Sequence, residues 1–243
     1  MPALSADWAS LAAELAGALH LATPPVAITF HAEPPAGIAP FGRPMPDPEP
    51  DGRAGRVPAG CVFWIHGGES TFATVPEDHG NCSVGSLTHG MVTMDDVAGN
   101  ADVVALLEAG WVTPEAMAAI PVVGERPGAV TYGLLAETPH DPDVVLLRVN
   151  GRQMMVLADA IPGLRIEGKP QCHIVALAKE QGQPAASVGC ALSRARTGMQ
   201  PHEMTCALPA PGLPAVVAAV VATAATDATV ARYAAADARR FEP

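Results

Sequence analysis

The sequence predicts an α/β or α+β chain made of two similar halves, with mixed sheets flanked by helices. Three observations support this. Short apolar runs of strand length alternate with Ala- and Val-rich helical stretches. The 243 residues include 25 Pro and 23 Gly, so turns are frequent and elements short. Two cysteine-headed segments, Cys82 to Met91 and Cys190 to Met199, both close on Gly-Met.

Asp7 is placed to cap a first helix, and Trp8, Leu11, Leu15 and Leu19 follow at helical spacing. Pro24-Pro25 ends that helix, and Val26 to Phe30 reads as a strand. Residues 33 to 60 are rich in Pro, Gly and Asp and read as a long surface excursion. Cys61 to Ile65 reads as a buried strand closed by Gly67-Gly68, with Ser70 to Val75 as its hairpin partner. The run from Glu77 to Met91 is the densest in chemically capable side chains. Asp96 to Ile120 reads as helical with a break near Gly110, and Ala129 to Leu135 as a strand. Asp143 to Val149 is the clearest strand, turned out by Asn150-Gly151. Gln153 to Ile161 reads as a helix, Cys172 to Leu177 as a strand, and Pro184 to Val188 as its partner. Pro209 and Pro211 precede a last helix that reaches Ala235. Its most apolar window, Leu213 to Ala225, is too short for a bilayer span and reads as buried.

The repeat extends beyond the two cysteine loops. Cys61 precedes Cys82 by 21 positions, and Cys172 precedes Cys190 by 18. Each half also carries an earlier apolar strand, Val26 to Phe30 and Val144 to Val149, and a later Ala/Val-rich helix. The halves run over residues 1–125 and 126–243 and form one unit. A pseudo-twofold axis between them would bring equivalent cysteines face to face.

The net charge is −11, and only Lys169 and Lys179 are lysines. No basic stripe exists, which argues against nucleic acid and against an anionic membrane as partners. The start, Met1-Pro2-Ala3-Leu4, shows no basic stretch before an apolar core, so the expected location is the cytoplasm, where thiols stay reduced.

Cys82 and Cys190 sit in Gly-rich or polar loops, where a ligand can reach a thiol. With Cys61 and Cys172 they make a four-thiolate set, while Cys206 has no counterpart in the repeat. Thiolates are soft ligands and suit iron–sulfur clusters, zinc or haem iron. No C-x2-C pair is present, so spacing alone names no metal. His79 stands three positions before Cys82, able to ligate or to polarise the thiol, and His89 neighbours Met91. Met91 or Met199 could oppose a haem, and Arg194 could pair a carboxylate of a substrate or cofactor. The competing reading makes Cys82 a nucleophile with His79 beside it, in a cofactor-free thiol enzyme or small-ligand-binding protein.

Several pieces resemble one family, the bacterial and archaeal domain of unknown function 169. They are Pro24 to Phe30, the Cys61 segment, His79-Gly80-Asn81-Cys82-Ser83-Val84-Gly85, Gly168-Lys169-Pro170-Gln171-Cys172, and Ala186 to Arg194 with its Ser-x-Gly-Cys-x-x-Ser-Arg core. The chain departs from the pattern at Ala191-Leu192 and in the Pro-rich stretch before Cys61. The resemblance implies no activity. It supports the four-cysteine pattern.

The expected function is therefore binding of a redox metal cofactor where the halves meet. An iron–sulfur cluster comes first, haem second, with zinc as a further alternative. Cys61, Cys82, Cys172 and Cys190 are the expected ligands, and His79, His89, Met91 and Arg194 the lining. A small molecule or an electron carrier is the expected partner. Oxidoreductase chemistry and homo-oligomer formation stay open.

Overall fold

The computed structural model describes residues 5–42, 60–80, 82–197 and 199–238. Most of the expected surface excursion (43–59), Asn81 and Gly198 lie outside them, as does the side chain of Arg196.

Asp7 does cap the first helix, α1 (Trp8–Leu19), by accepting the Ser10 N–H at 3.0 Å. After β1 (Val26–His31) come α2 (Gly60–Gly67), β2 (Phe72–Thr74) and, past a 3-10 turn at Pro76–His79, α3 (Ser83–Thr88). Three short helices follow, α4 (Met94–Val97), α5 (Ala101–Glu108) and α6 (Pro114–Ala118), then β3 (Ala129–Leu134). The chain continues through β4 (Val144–Val149), α7 (Gly151–Ala160), β5 (Arg165–Glu167), α8 (His173–Gln181), β6 (Ala185–Ser187), α9 (Ala191–Thr197), β7 (Met204–Pro209) and α10 (Leu213–Ala238).

The seven strands make one mixed sheet in the order β2-β3-β1-β4-β7-β6-β5. All neighbours are antiparallel except β5 and β6. β1 lies between β3 and β4, with Val26 opposite both Leu134 and Leu146.

Alternation along the strands sorts the side chains onto two faces. Ala27, Val145, Leu147, Val149, Ala186, Cys206 and Leu208 join the core formed with α1, α7 and α10. Val26, Ile28, Val130, Tyr132, Val144, Leu146, Ala185 and Ala207 join the core formed with α2, α3 and α8. The central strands are covered on both sides, which is why Val144 to Val149 reads as unbroken apolar sequence. Helices α4 to α6 enclose a small satellite cluster around Val97, Val103, Val112 and Met117.

Two sequence expectations are corrected. The runs at Cys61 and Cys172 are helices, not strands, so neither forms a hairpin: β2 pairs with β3, and β6 with β5 and β7. Within α2 the buried positions are Gly60, Phe63, Trp64 and Gly67, the i, i+3, i+4, i+7 pattern of a helix on a sheet. In α8, His173 to Ala178 are all buried, so no polar face marks it as a helix. The last helix is also longer and barer than expected. Of α10, only Leu213, Val217 and Val220 are buried, while Val230 and Tyr233 are 59% and 75% exposed. By length and composition it could cross a membrane.

Candidate functional site

Helices placed on one face of the sheet bring four cysteines to one layer. Cys82 is the N-cap of α3, Cys172 is the N-cap of α8, Cys61 lies in the first turn of α2, and Cys190 immediately precedes α9. Helix α2 touches α9, and α3 touches α8, where Cys172 Sγ lies 4.0 Å from the Val84 carbonyl. The loop thiols share a local geometry. Cys82 Sγ accepts the N–H of Gly85, and Cys190 Sγ that of Ser193, each three residues on and each at 3.4 Å.

Small residues allow this closeness. A Cβ on Gly85 would stand 3.3 Å from Cys82 Sγ and 3.4 Å from the Gly60 nitrogen, and one on Gly60 would stand 3.1 Å from the His89 ring. The starts of α2 and α3 thus meet through two glycines.

Burial holds the Cys172 thiol well above the usual range, and charge on Cys82, Cys61 and Cys190 pushes it the same way, against a hydrogen bond from Thr88. Tyr132 on β3 is raised by burial and then by Cys61 and Cys172. Cys206 stands apart on the opposite face of the sheet, and burial alone pushes its thiol up to about 12. Among the described residues, no three His, Cys, Asp or Glu side chains are gathered tightly enough to hold one ion.

Beside the thiols is a cavity of about 10 Å³, room for a single water, lined by Cys61, Trp64, Gln171 and Thr205 among others. Trp64 Nε1, Gln171 Oε1 and Thr205 Oγ1 are buried without a hydrogen-bond partner, as is Tyr132 Oη. Native proteins leave few such groups unsatisfied, and each asks for an explanation. Tyr132, Gln171 and Thr205 carry no local signal in the sequence, because each sits alone in an apolar run or at an element's edge.

His79 and His89 are both fully buried, with ring centres 5.6 Å apart. His79 is lowered well below the usual imidazole range by burial and then by His89, and burial takes His89 down to about 4 despite its bond to the Gly85 carbonyl. Both are neutral near pH 7. Met91 is fully buried in the same core, and Met199 Sδ lies 3.8 Å from Ser193 Oγ. Arg194 spends its guanidinium on the carbonyls of Val188 (2.8 Å), Glu203 (3.1 Å) and Gln200, strapping the Cys190 loop.

A mixed sheet with one apolar face, and one face crossed by helices that begin at cysteines, defines a thiol-bearing α/β protein. The chain belongs to the family domain of unknown function 169, described as uncharacterised ArCR, which matches residues 14–219. No curated protein and no solved structure gives a match.

Proposed function

We propose that the chain is a redox-cofactor protein in which Cys61, Cys82, Cys172 and Cys190 hold an iron–sulfur cluster. The observation that carries this reading is that all four cysteines stand at or beside the starts of α2, α3, α8 and α9, with α2 against α9 and α3 against α8. A metal takes the place of each thiol proton, so loading releases protons. A cluster attaches each thiolate to a different iron, so its ligands stand farther apart than those of one tetrahedral ion. Cys61 and Cys190 are half-buried, which leaves the cofactor an edge toward an electron carrier or a small substrate.

The same reading takes the chain as two similar halves. Its support is the strand order. β1, α2, β2, α3 and β3 in the first half correspond to β4, α8, β6, α9 and β7 in the second. In the sheet, β2-β3-β1 then mirrors β6-β7-β4 about the β1–β4 seam. The antiparallel β1–β4 pair and the crossed α2–α9 and α3–α8 contacts fit a twofold axis through that seam.

The test is purification without air, with iron and acid-labile sulfide measured alongside the absorption spectrum. A broad charge-transfer band with both elements, lost in Cys172→Ser, is the expected result. A Soret band would replace the cluster by haem. A chain that stays colourless after reconstitution with iron and sulfide would overturn the reading and leave Cys82 as a nucleophile.

A further inference from the structure

We propose that His79 and His89 form a second metal site, separate in its atoms from the thiol set. It takes a divalent transition ion of the zinc, cobalt or ferrous class through Nδ1 of His79 and Nε2 of His89. The hydrogen bonds fix both tautomers. Thr74 donates its hydroxyl hydrogen to the Val130 carbonyl at 3.1 Å, so toward His79 it can only accept, and Nε2 of His79 donates to it at 2.9 Å. The Gly85 carbonyl accepts from Nδ1 of His89 at 2.9 Å. Each ring is thereby left one lone pair, on Nδ1 of His79 and on Nε2 of His89. Both nitrogens are buried with no hydrogen-bond partner.

This is the arrangement of metal-bound imidazoles. A ligating histidine donates its other N–H to a backbone carbonyl or similar group, which orients the ring and raises its basicity. The rings also stand at a fitting separation. Two imidazoles on one zinc, each bonded at about 2.0–2.1 Å, bring their ring centres to roughly 5 Å, and here they are 5.6 Å apart. Aromatic rings flank the pair. Phe63 stacks 4.7 Å from His79 and Phe30 lies 5.9 Å from His89. Tyr132, 6.4 Å from His79, offers an unpartnered hydroxyl to a water that completes the ion's shell. Because burial keeps both imidazoles neutral, no proton has to leave when the ion binds.

The experiment uses the full chain with Cys82 and Cys190 both changed to Ser, which removes the cofactor proposed above, and titrates it with cobalt(II) without air. A single cobalt per chain is expected, with weak visible bands of nitrogen and oxygen ligation and no intense sulfur charge-transfer band. His79→Gln and His89→Asn, which keep the N–H donors to Thr74 and Gly85, should each weaken binding about tenfold or more with unchanged far-UV circular dichroism. The site is overturned if the folded double-Ser chain binds no cobalt at micromolar concentration, if sulfur bands dominate, or if both histidine variants bind as before; the rings then share a buried water only. Should the double-Ser chain fail to fold, zinc bound beyond the reconstituted cofactor in wild type, counted before and after the histidine changes, decides the matter in the same way.

Discussion

The two faces of the central sheet are built from the same strands and differ in almost every other respect. Toward α1, α7 and α10 the strands present Val145, Leu147, Val149 and Leu208, and one cysteine, Cys206, buried as a small apolar side chain. Toward α2, α3 and α8 the same strands support four cysteines, three buried imidazoles (His79, His89 and His173) and buried polar atoms without partners, among them Tyr132 Oη and Trp64 Nε1. Unsatisfied buried polar groups cost stability. Their concentration on one face, with an apolar opposite face, marks where the fold bears a functional burden and where it supplies the stability for it.

The sharpest way to break this division is a cavity on the apolar face. Leu147→Ala should lower unfolding stability by about 2–5 kcal/mol, read as a reduced urea midpoint. Cofactor content per folded chain should not change. A loss of cofactor at full stability would erase the distinction between the faces.

Acid should act on the other face. Unfolded, an imidazole takes up its proton near 6.5; folded, His89 resists until about 4. The native state holds fewer protons in that interval, so the contribution is fully present above pH 6.5 and is lost as pH falls through 4. For His89 this amounts to roughly 3 kcal/mol, and His79 adds in the same direction. Urea titrations from pH 7 to 4 should show the decline, and His89→Asn should flatten it. An unchanged slope in that variant would remove His89 from the account.

Cys172 and Cys206, buried on opposite faces, give a finer comparison. Cys206→Ser places a hydroxyl in an apolar core and should cost about 1–3 kcal/mol with cofactor loading retained. Cys172→Ser should abolish loading, with a smaller change in apo stability. Iron analysis and denaturation of both variants separate the two roles.

The smallest effect is expected at Arg194, which is partly exposed. Its removal to Ala should cost about 1 kcal/mol, with faster hydrogen exchange confined to the Cys190 loop.

Much of this was legible in the sequence. Asp7, the strands at Val26 and Val144 and the last helix all follow from local chemistry that the fold retains. The segments at Cys61 and Cys172 were misread because a short apolar run looks alike as a buried strand or a buried helix. In α2 the deciding spacing, Gly60 to Gly67 through Phe63 and Trp64, is hidden by glycines that carry no hydropathic signal. Strand β7 went unread because Met204 to Pro209 lies between β4 and β6 with no polar face to alternate against. The partnership of His79 with Thr74, and of Tyr132 with the thiols, depends on β2 meeting β3, a contact across more than fifty residues that no local pattern encodes.

The chain's two tyrosines occupy opposite extremes. Tyr233 stands 75% exposed on the bare end of α10, whereas Tyr132 is wholly enclosed against Phe63 and Phe72. A phenol-directed label should therefore tag each intact molecule once, at Tyr233. Any second tag records a moment when the thiol-bearing face came apart, so the number of labels per chain becomes a clock for its opening.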